Sequence, residues 1–143
     1  MDEPLPGKLG EIVEQFQWCE GREKLELLIQ YSESLPDLPA WLHSRRAEMD
    51  SVPECMTPVS VFVEDVKGRM VFHFAVPVES PLVRGLAAIM KQGLDHCTPE
   101  EVLKVPGDFY EQMGLQKVLT QQRLNGMSAI LAHMKQLAVT KIS

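Results

Sequence analysis

Leu9, Ile12, Val13 and Phe16 recur at i, i+3, i+4 and i+7, the spacing of one helix face, and predict a helix over residues 8–18. Gly21 interrupts that pattern. A second helix is expected over residues 22–34 with Leu25, Leu28 and Ile29 inward, ended by Pro36 and Pro39. Residues 36–54 hold Pro36, Pro39 and Pro53 and no clear period, so a long, mostly irregular connection is expected, of the kind that often carries function. From Thr57 the period changes to two. Val59, Val61 and Val63 alternate with Ser60 and Phe62, then Asp65-Val66-Lys67-Gly68 reads as a tight turn. Met70, Phe72, Phe74 and Val76 then alternate with Val71, His73 and Ala75. This is an antiparallel hairpin. A lone hairpin is marginal in water, so it must lean on helices and on a third strand drawn from residues 48–54.

Ser80-Pro81 opens the next helix, to about Asp95, with Leu82, Leu86, Ile89 and Met90 on one face. Thr98-Pro99-Glu100-Glu101 has the form of a capping box, and Asp108 begins a further short helix through about Met113. Thr120 caps the last helix, expected to about Leu137. Leu124, Met127, Leu131, Met134 and Ala138 form the most regular stripe in the chain. Helices, then a hairpin, then helices means an α+β fold: a small antiparallel sheet, a hairpin with a third strand, packed against several helices.

The chain has 143 residues, of which 45% are hydrophobic and 24% charged. That is enough for one core without metal or disulfides, and residues 1–143 are expected to form one domain. No apolar run approaches the roughly 20 residues of a membrane span. The formal charge of −6 gives a polyanion no general attraction. All 20 carboxylates lie at or before Glu111, and from Gln112 onward Lys117, Arg123, Lys135 and Lys141 give +4. The basic residues of the last helix have no interleaved aromatics, so a nucleic-acid site is not expected. The segment MDEPLPGKLGEI is acidic, without the apolar stretch of a signal peptide or the Arg/Ser content of a transit peptide. Three widely spaced cysteines, Cys19, Cys55 and Cys97, give no disulfide framework and suit a reducing, cytoplasmic setting.

Cys55 leaves the irregular connection just ahead of the hairpin, an accessible yet positioned place for a nucleophile; the alternative is a small buried hydrophobe. Cys19 and Cys97 end helices and read as packing residues. A working thiol must ionise, and Glu54 and Asp50 oppose that. Arg45, Arg46 and Arg123 are the candidate cations. Arg123 sits in the first turn of the last helix, where a cation opposes the dipole at a cost of ~0.3–1 kcal/mol. Either it points to water, or it and the helix start stabilise a thiolate or persulfide on Cys55. Among His43, His73, His96 and His133 no pair has metal-ligand spacing. His73 or His133 could be folded near Cys55 as a base, but nothing in the sequence supplies the orienting group a Cys-His hydrolase needs. Met49, Met56, Met70, Met90, Met113, Met127 and Met134 read as core filling. There is no phosphate-binding glycine motif.

Three segments are diagnostic together. Glu54-Cys55-Met56-Thr57-Pro58-Val59 has a cysteine followed two residues later by Thr. Leu82-Val83-Arg84-Gly85-Leu86 has two aliphatics, a basic residue, Gly and Leu. Leu119-Thr120-Gln121-Gln122-Arg123-Leu124-Asn125-Gly126-Met127 fits Leu-x-x-x-Arg-x-x-Gly-aliphatic. In this order and spacing, across nearly the whole chain, they resemble the SufE/CsdE-type sulfur acceptors of iron–sulfur cluster assembly. Three places depart from the family's pattern. Glu54 replaces its usual Gly, Pro58-Val59-Ser60 its Gln-Val-Trp run, and Glu79-Ser80-Pro81 its acidic-Ala pair.

The resemblance implies that Cys55 takes a sulfane sulfur from the persulfide of a PLP-dependent, SufS-like cysteine desulfurase, which it also stimulates. It implies that Cys55 passes the sulfur to a scaffold such as SufB. Arg123 matches a family position near the cysteine loop, which implies support of the thiolate. The protein would hold no PLP, metal or cluster of its own. The alternative is a non-catalytic module that keeps the fold and regulates a desulfurase; Glu54 and Pro58 are the reason to keep it open. The prolines and irregularity of residues 36–58 suggest a cysteine loop that flips.

Overall fold

Alternating Val and Phe positions form a three-stranded antiparallel sheet with its strands side by side in chain order, and helices cover its inner face. The computed structural model describes residues 5–142; residues 1–4, which begin the acidic N-terminal segment, and Ser143 lie outside the described residues. The elements are α1 (Leu9–Gln17), α2 (Arg22–Glu33), α3 (Ala40–His43), a 3-10 turn (Arg46–Glu48), β1 (Asp50–Ser51), β2 (Ser60–Val66) and β3 (Arg69–Ala75). They continue with α4 (Pro81–Leu94), α5 (Pro99–Leu103), α6 (Tyr110–Met113), a second 3-10 turn (Leu115–Lys117) and α7 (Gln121–Ile142). The α+β class and the third strand from residues 48–54 are as expected.

In the hairpin Val61 pairs with Phe74, Val63 with Phe72, and Val66 with Arg69. The turn is therefore only Lys67-Gly68, tighter than expected. Both have positive φ (55° and 83°), the two-residue geometry whose twist matches the strands, and the Gly68 amide donates to Asp65 Oδ1 at 2.8 Å. β2 starts at Ser60 rather than Thr57, because Pro58 has no N–H to give a ladder. Residues 52–59 form instead the loop that joins β1 to β2, closed by the Val52 amide on the Val59 carbonyl at 2.9 Å.

Val61, Val63, Met70, Phe72 and Phe74 are buried on the inner face, with β2 under α7 and β3 along α4. The outer face is not bare. Trp41 of α3 packs edge-on against Phe62 and His73 at 5.8 and 5.6 Å, and the Arg45 guanidinium lies 5.3 Å from the Phe62 ring centre. Residues 36–54 are thus a cover for the sheet, in which α3, a 3-10 turn and β1 interrupt the expected irregular connection. The outer edge of β3 is also closed. The Phe72 amide donates to Asp95 Oδ1 at 2.9 Å, Lys91 bonds both the Phe72 carbonyl and Asp95, and Met70 exchanges backbone bonds with residues 96 and 97 at 2.7 Å each.

Helix α2 corrects one expectation. Its buried positions are Lys24, Leu28 and Ser32, each four residues apart, with Leu25 half-buried, while Ile29 is 42% exposed. The face is chosen by the contact with α4. A Cβ at Gly85 would stand 2.3 Å from the Leu28 carbonyl oxygen, so the two backbones meet only where α4 has no side chain. Lys24 is buried because its ammonium caps two helix ends at once, donating to the carbonyls of Phe16 in α1 and Met113 in α6.

The α7 stripe of Leu124, Met127, Leu131, Met134 and Ala138 is buried as its spacing requires. The helix runs to Ile142 rather than Leu137, since no Gly or Pro follows to stop it. Thr98 and Glu101 form the expected capping box at 2.8 and 3.2 Å. Ser80 holds the N-cap position of α4 without a side-chain cap; its hydroxyl faces that of Thr57 at 3.4 Å.

Lys24→Met, which strands two buried carbonyls, is expected to lower unfolding free energy by about 1–3 kcal/mol in urea titration. Gly85→Ala forces α2 and α4 apart and is expected to cost about 1–3 kcal/mol, read as a lower thermal midpoint with an unchanged far-UV spectrum.

Candidate functional site

The β1–β2 loop carries Cys55 near its tip, and the Cys55 amide donates to the Val52 carbonyl at 3.2 Å, turning the chain back toward α7. The thiol is half-buried and points at the first turns of α7, with Sγ 3.6 Å from the Gly126 carbonyl oxygen that can accept its proton. A Cβ at residue 126 would lie 3.3 Å from that sulfur, so Gly126 is what leaves room for the thiol against the helix.

Beside the sulfur is a cavity of about 350 Å³. Val83 and Leu86 of α4 and Met127 and Ile130 of α7 supply its apolar wall, and Thr120, Gln122 and Arg123 its polar rim. Arg123 therefore lines the same cavity as Cys55. Its amide donates to the Thr120 hydroxyl at 3.3 Å, confirming Thr120 as the cap of α7. The guanidinium is exposed, and among the described residues no carboxylate pairs with it.

The electrostatics of the resting thiol run against ionisation. Burial pushes the Cys55 thiol above its ordinary value, and the Glu54 carboxylate adds to the rise. Asp50, which the sequence grouped with Glu54, is engaged by the His133 ring. Arg45 is also not at the site: it pairs with Glu48 at 2.8 Å on the back of the sheet. Met56 corrects the core-filling reading. It is 80% exposed at the cavity mouth, in contact with Gln122, while Met70, Met90, Met113, Met127 and Met134 are buried. Cys97 is buried, with its thiol pushed up to about 11, chiefly by burial; it packs as expected. Cys19 is half-buried at the end of α1.

The histidines divide clearly. His73 pairs with Glu64 at 2.9 Å on the outer face of the sheet. His133 does reach the cysteine loop, but both ring nitrogens are occupied: Nδ1 meets Asp50 at 2.6 Å and Nε2 meets Glu54 at 3.2 Å. It is not free to take a proton from Cys55, so the loop has no Cys-His pair of the hydrolase kind. This three-residue cluster is the part of the site that sequence reasoning missed. No local signal could have found it, since His133 lies 83 and 79 residues from its two partners.

Arg84, the basic residue of the second diagnostic segment, is structural. Its guanidinium donates to the carbonyls of Val76 and Leu35 at 2.8 and 3.3 Å, tying the ends of β3 and α2 to α4. Among the described residues no cluster of three or more His, Cys, Asp or Glu side chains could hold a metal ion, and no helix is long and apolar enough to cross a membrane.

Comparison with known proteins places the chain in a family. Residues 10–138 match the model of the SufE Fe-S metabolism associated domain. An uncharacterised SufE-like protein of Mycobacterium tuberculosis is 40% identical over 132 residues, covering 92% of this chain and 91% of that protein. The cysteine desulfuration protein SufE of Plasmodium vivax is 28% identical over 135 residues, 92% of this chain and 52% of its own length. The solution structure of a hypothetical protein from Thermus thermophilus superposes with a TM-score of 0.85 at 30% identity, covering 96% of this chain and 98% of that one. With its cysteine loop, its Arg-bearing final helix and a family match over most of its length, this chain belongs to the SufE family of Fe–S metabolism.

Proposed function

We propose that this protein is a cytoplasmic, single-domain sulfur carrier: Cys55 accepts a sulfane sulfur from the persulfide of a PLP-dependent cysteine desulfurase, which the protein also stimulates, and passes it to an Fe–S scaffold. The observation that carries the reading is a cysteine on a hairpin loop, facing a cavity with an apolar wall and a cationic rim. SufS-like and SufB-like proteins are the expected donor and acceptor.

The exchange balances without an added oxidant or reductant. Cys55 loses its proton, and its thiolate attacks the outer sulfur of the donor persulfide. A new S–S bond forms on Cys55, the donor's S–S bond breaks, and the donor thiolate leaves and takes up a proton. The loop's part is to present the sulfur to the partner. The resting position suits storage: the thiol is held neutral by burial and by Glu54, and the roughly 350 Å³ beside it accommodates one further sulfur atom. Arg123 is the residue assigned to support the anionic form as it develops at the rim. Because attack requires the thiolate, transfer follows a movement of Cys55 toward Arg123 and solvent.

One observation keeps a second reading, a desulfurase-binding regulator that carries no sulfur. Glu54 opposes the thiolate from the adjacent position.

Incubation with a cysteine desulfurase, L-cysteine and PLP, followed by non-reducing intact mass spectrometry, should show a gain of one sulfur atom that disappears in Cys55→Ser. Stimulation of the desulfurase that survives Cys55→Ser, with no sulfur gained by the wild type, would establish the regulator instead. Arg123→Ala is expected to slow loading by about two- to fivefold, with Arg123→Lys in between, measured as the initial rate of mass gain. Alkylation of Cys55 in the isolated protein should follow a pH profile whose midpoint lies above the ~8.5 of an unperturbed thiol, and the midpoint should return toward that value in urea.

A further inference from the structure

Two carboxylates flank one imidazole at the cysteine loop, and their chemistry dictates a charge state. A carboxylate accepts hydrogen bonds and cannot donate them, so a ring whose two nitrogens each face one can satisfy both only as the imidazolium. His133 is in that position, with Asp50 Oδ2 at 2.6 Å from Nδ1 and Glu54 Oε1 at 3.2 Å from Nε2. Asp50 belongs to β1 and Glu54 immediately precedes Cys55. A single side chain on α7 therefore grips the loop where it leaves the sheet and again beside the nucleophile. The ring is 14% exposed, while the Glu54 side chain is 56% exposed and its bond is the longer one.

We propose that His133 is a positioning residue for sulfur transfer: its imidazolium clasps Asp50 and Glu54, holds the loop against α7 and keeps Cys55 in its cavity, and release of the Glu54 arm is the step that presents the sulfur. The proposal deepens the sulfur-carrier reading and rests on it for the purpose of the clasp.

The remaining charges around the ring do not compete. On α7 itself the positions three and four residues away are Ala129, Ile130, Gln136 and Leu137, none of them charged. β2 turns Val61 and Val63 inward, with Glu64 committed to His73. On α4, Arg84 and Lys91 are engaged with backbone carbonyls and Asp95. On α5, Glu101 is held in the Thr98 cap, and neither Glu100 nor Lys104 acts on the ring. Burial alone would lower the His133 pKa, but the hydrogen bonds and charges of Asp50 and Glu54 outweigh it and raise the value. The sign follows. The clasp is complete below the ~6.5 of an unperturbed histidine and weakens as pH rises through the raised value. The neutral ring then keeps one donor, which stays with Asp50 at the shorter distance, and the Glu54 arm opens.

The test is the rate of iodoacetamide alkylation of Cys55 in the isolated full chain, taken as the ratio of His133→Ala to wild type. The ratio cancels the intrinsic titration of the thiol. Near pH 6 the variant is expected to react about two- to fivefold faster, and the ratio should shrink as pH rises through the His133 titration. A ratio of one near pH 6 would overturn the clasp, and a raised ratio that does not change with pH would reduce His133 to a packing role. Glu54→Gln, at an exposed side chain, is the second variant and guards against a misfolded His133→Ala. The His133 midpoint, followed by the NMR shift of its ring proton, should fall in Glu54→Gln, and an unchanged midpoint would overturn the proposal. Neither readout involves a desulfurase. A failed sulfur-loading experiment would therefore leave them standing, and a flat ratio would remove the clasp while leaving sulfur loading on Cys55 untouched.

Discussion

Burial of the apolar stripe on α7 is the interaction on which the site depends. Leu124, Met127, Leu131, Met134 and Ala138 are all at or below 2% exposed, packed against β2, α4 and α5. Each large side chain of this kind contributes about 1.5–3 kcal/mol on burial. Summed over the stripe, this exceeds any single polar contact in the cysteine loop. The stripe fixes the rotation of α7 about its own axis. With the rotation fixed, Gly126 faces the loop, Arg123 stands at the cavity rim one turn earlier, and His133 meets Asp50 and Glu54 two turns later. A helix turned by one residue would lose all three relations at once. The packed core thus defines the wall that the Cys55 thiol meets.

The local electrostatics make sense for a group that must rest before it reacts. Burial and Glu54 both favour the neutral thiol, and the nearest acceptor is a helix carbonyl that can take its proton in a hydrogen bond. The cation that would favour the thiolate stands at the rim rather than against the resting sulfur. In the resting position the thiol is half-buried and its ionisation is opposed; in the proposed sulfur carrier, reactivity is coupled to a move from there toward the rim. Glu54, which looks from the sequence like an obstacle to a nucleophile, has a second partner in His133 and so serves the loop's anchoring as well as the thiol's restraint.

The sheet is regularly paired where the loop is not. β2 and β3 pair along seven residues each, with the edge of β3 closed by Asp95 and Lys91 and the outer face covered by Trp41. β1 contributes two residues only, and residues 52–59 leave the ladder because Pro53 and Pro58 cannot supply its donors.

Much of the fold was legible because periodicity is a local property. The i, i+3, i+4 spacing of α1, the alternation of the hairpin, the capping box at Thr98 and the stripe of α7 each record which face a segment must bury. Cys55 and Arg123 were legible as candidates because one sits where a β pattern emerges from prolines and the other breaks a helix-end charge rule. The sequence did not contain the face of α2, where Lys24 rather than Ile29 is buried, since that depends on two helix C-termini meeting its ammonium. Nor did it reveal that Met56 is exposed. His133 and its partners were beyond local reasoning altogether, being 83 and 79 residues apart in sequence and joined only when α7 lies down on the sheet. By itself, then, the sequence determined most of the elements, the buried faces of α1, the hairpin and α7, and Cys55 as the candidate nucleophile. The tertiary structure alone decided which charges meet, because a hydrogen bond needs an approach of about 3 Å that only the packed core can impose.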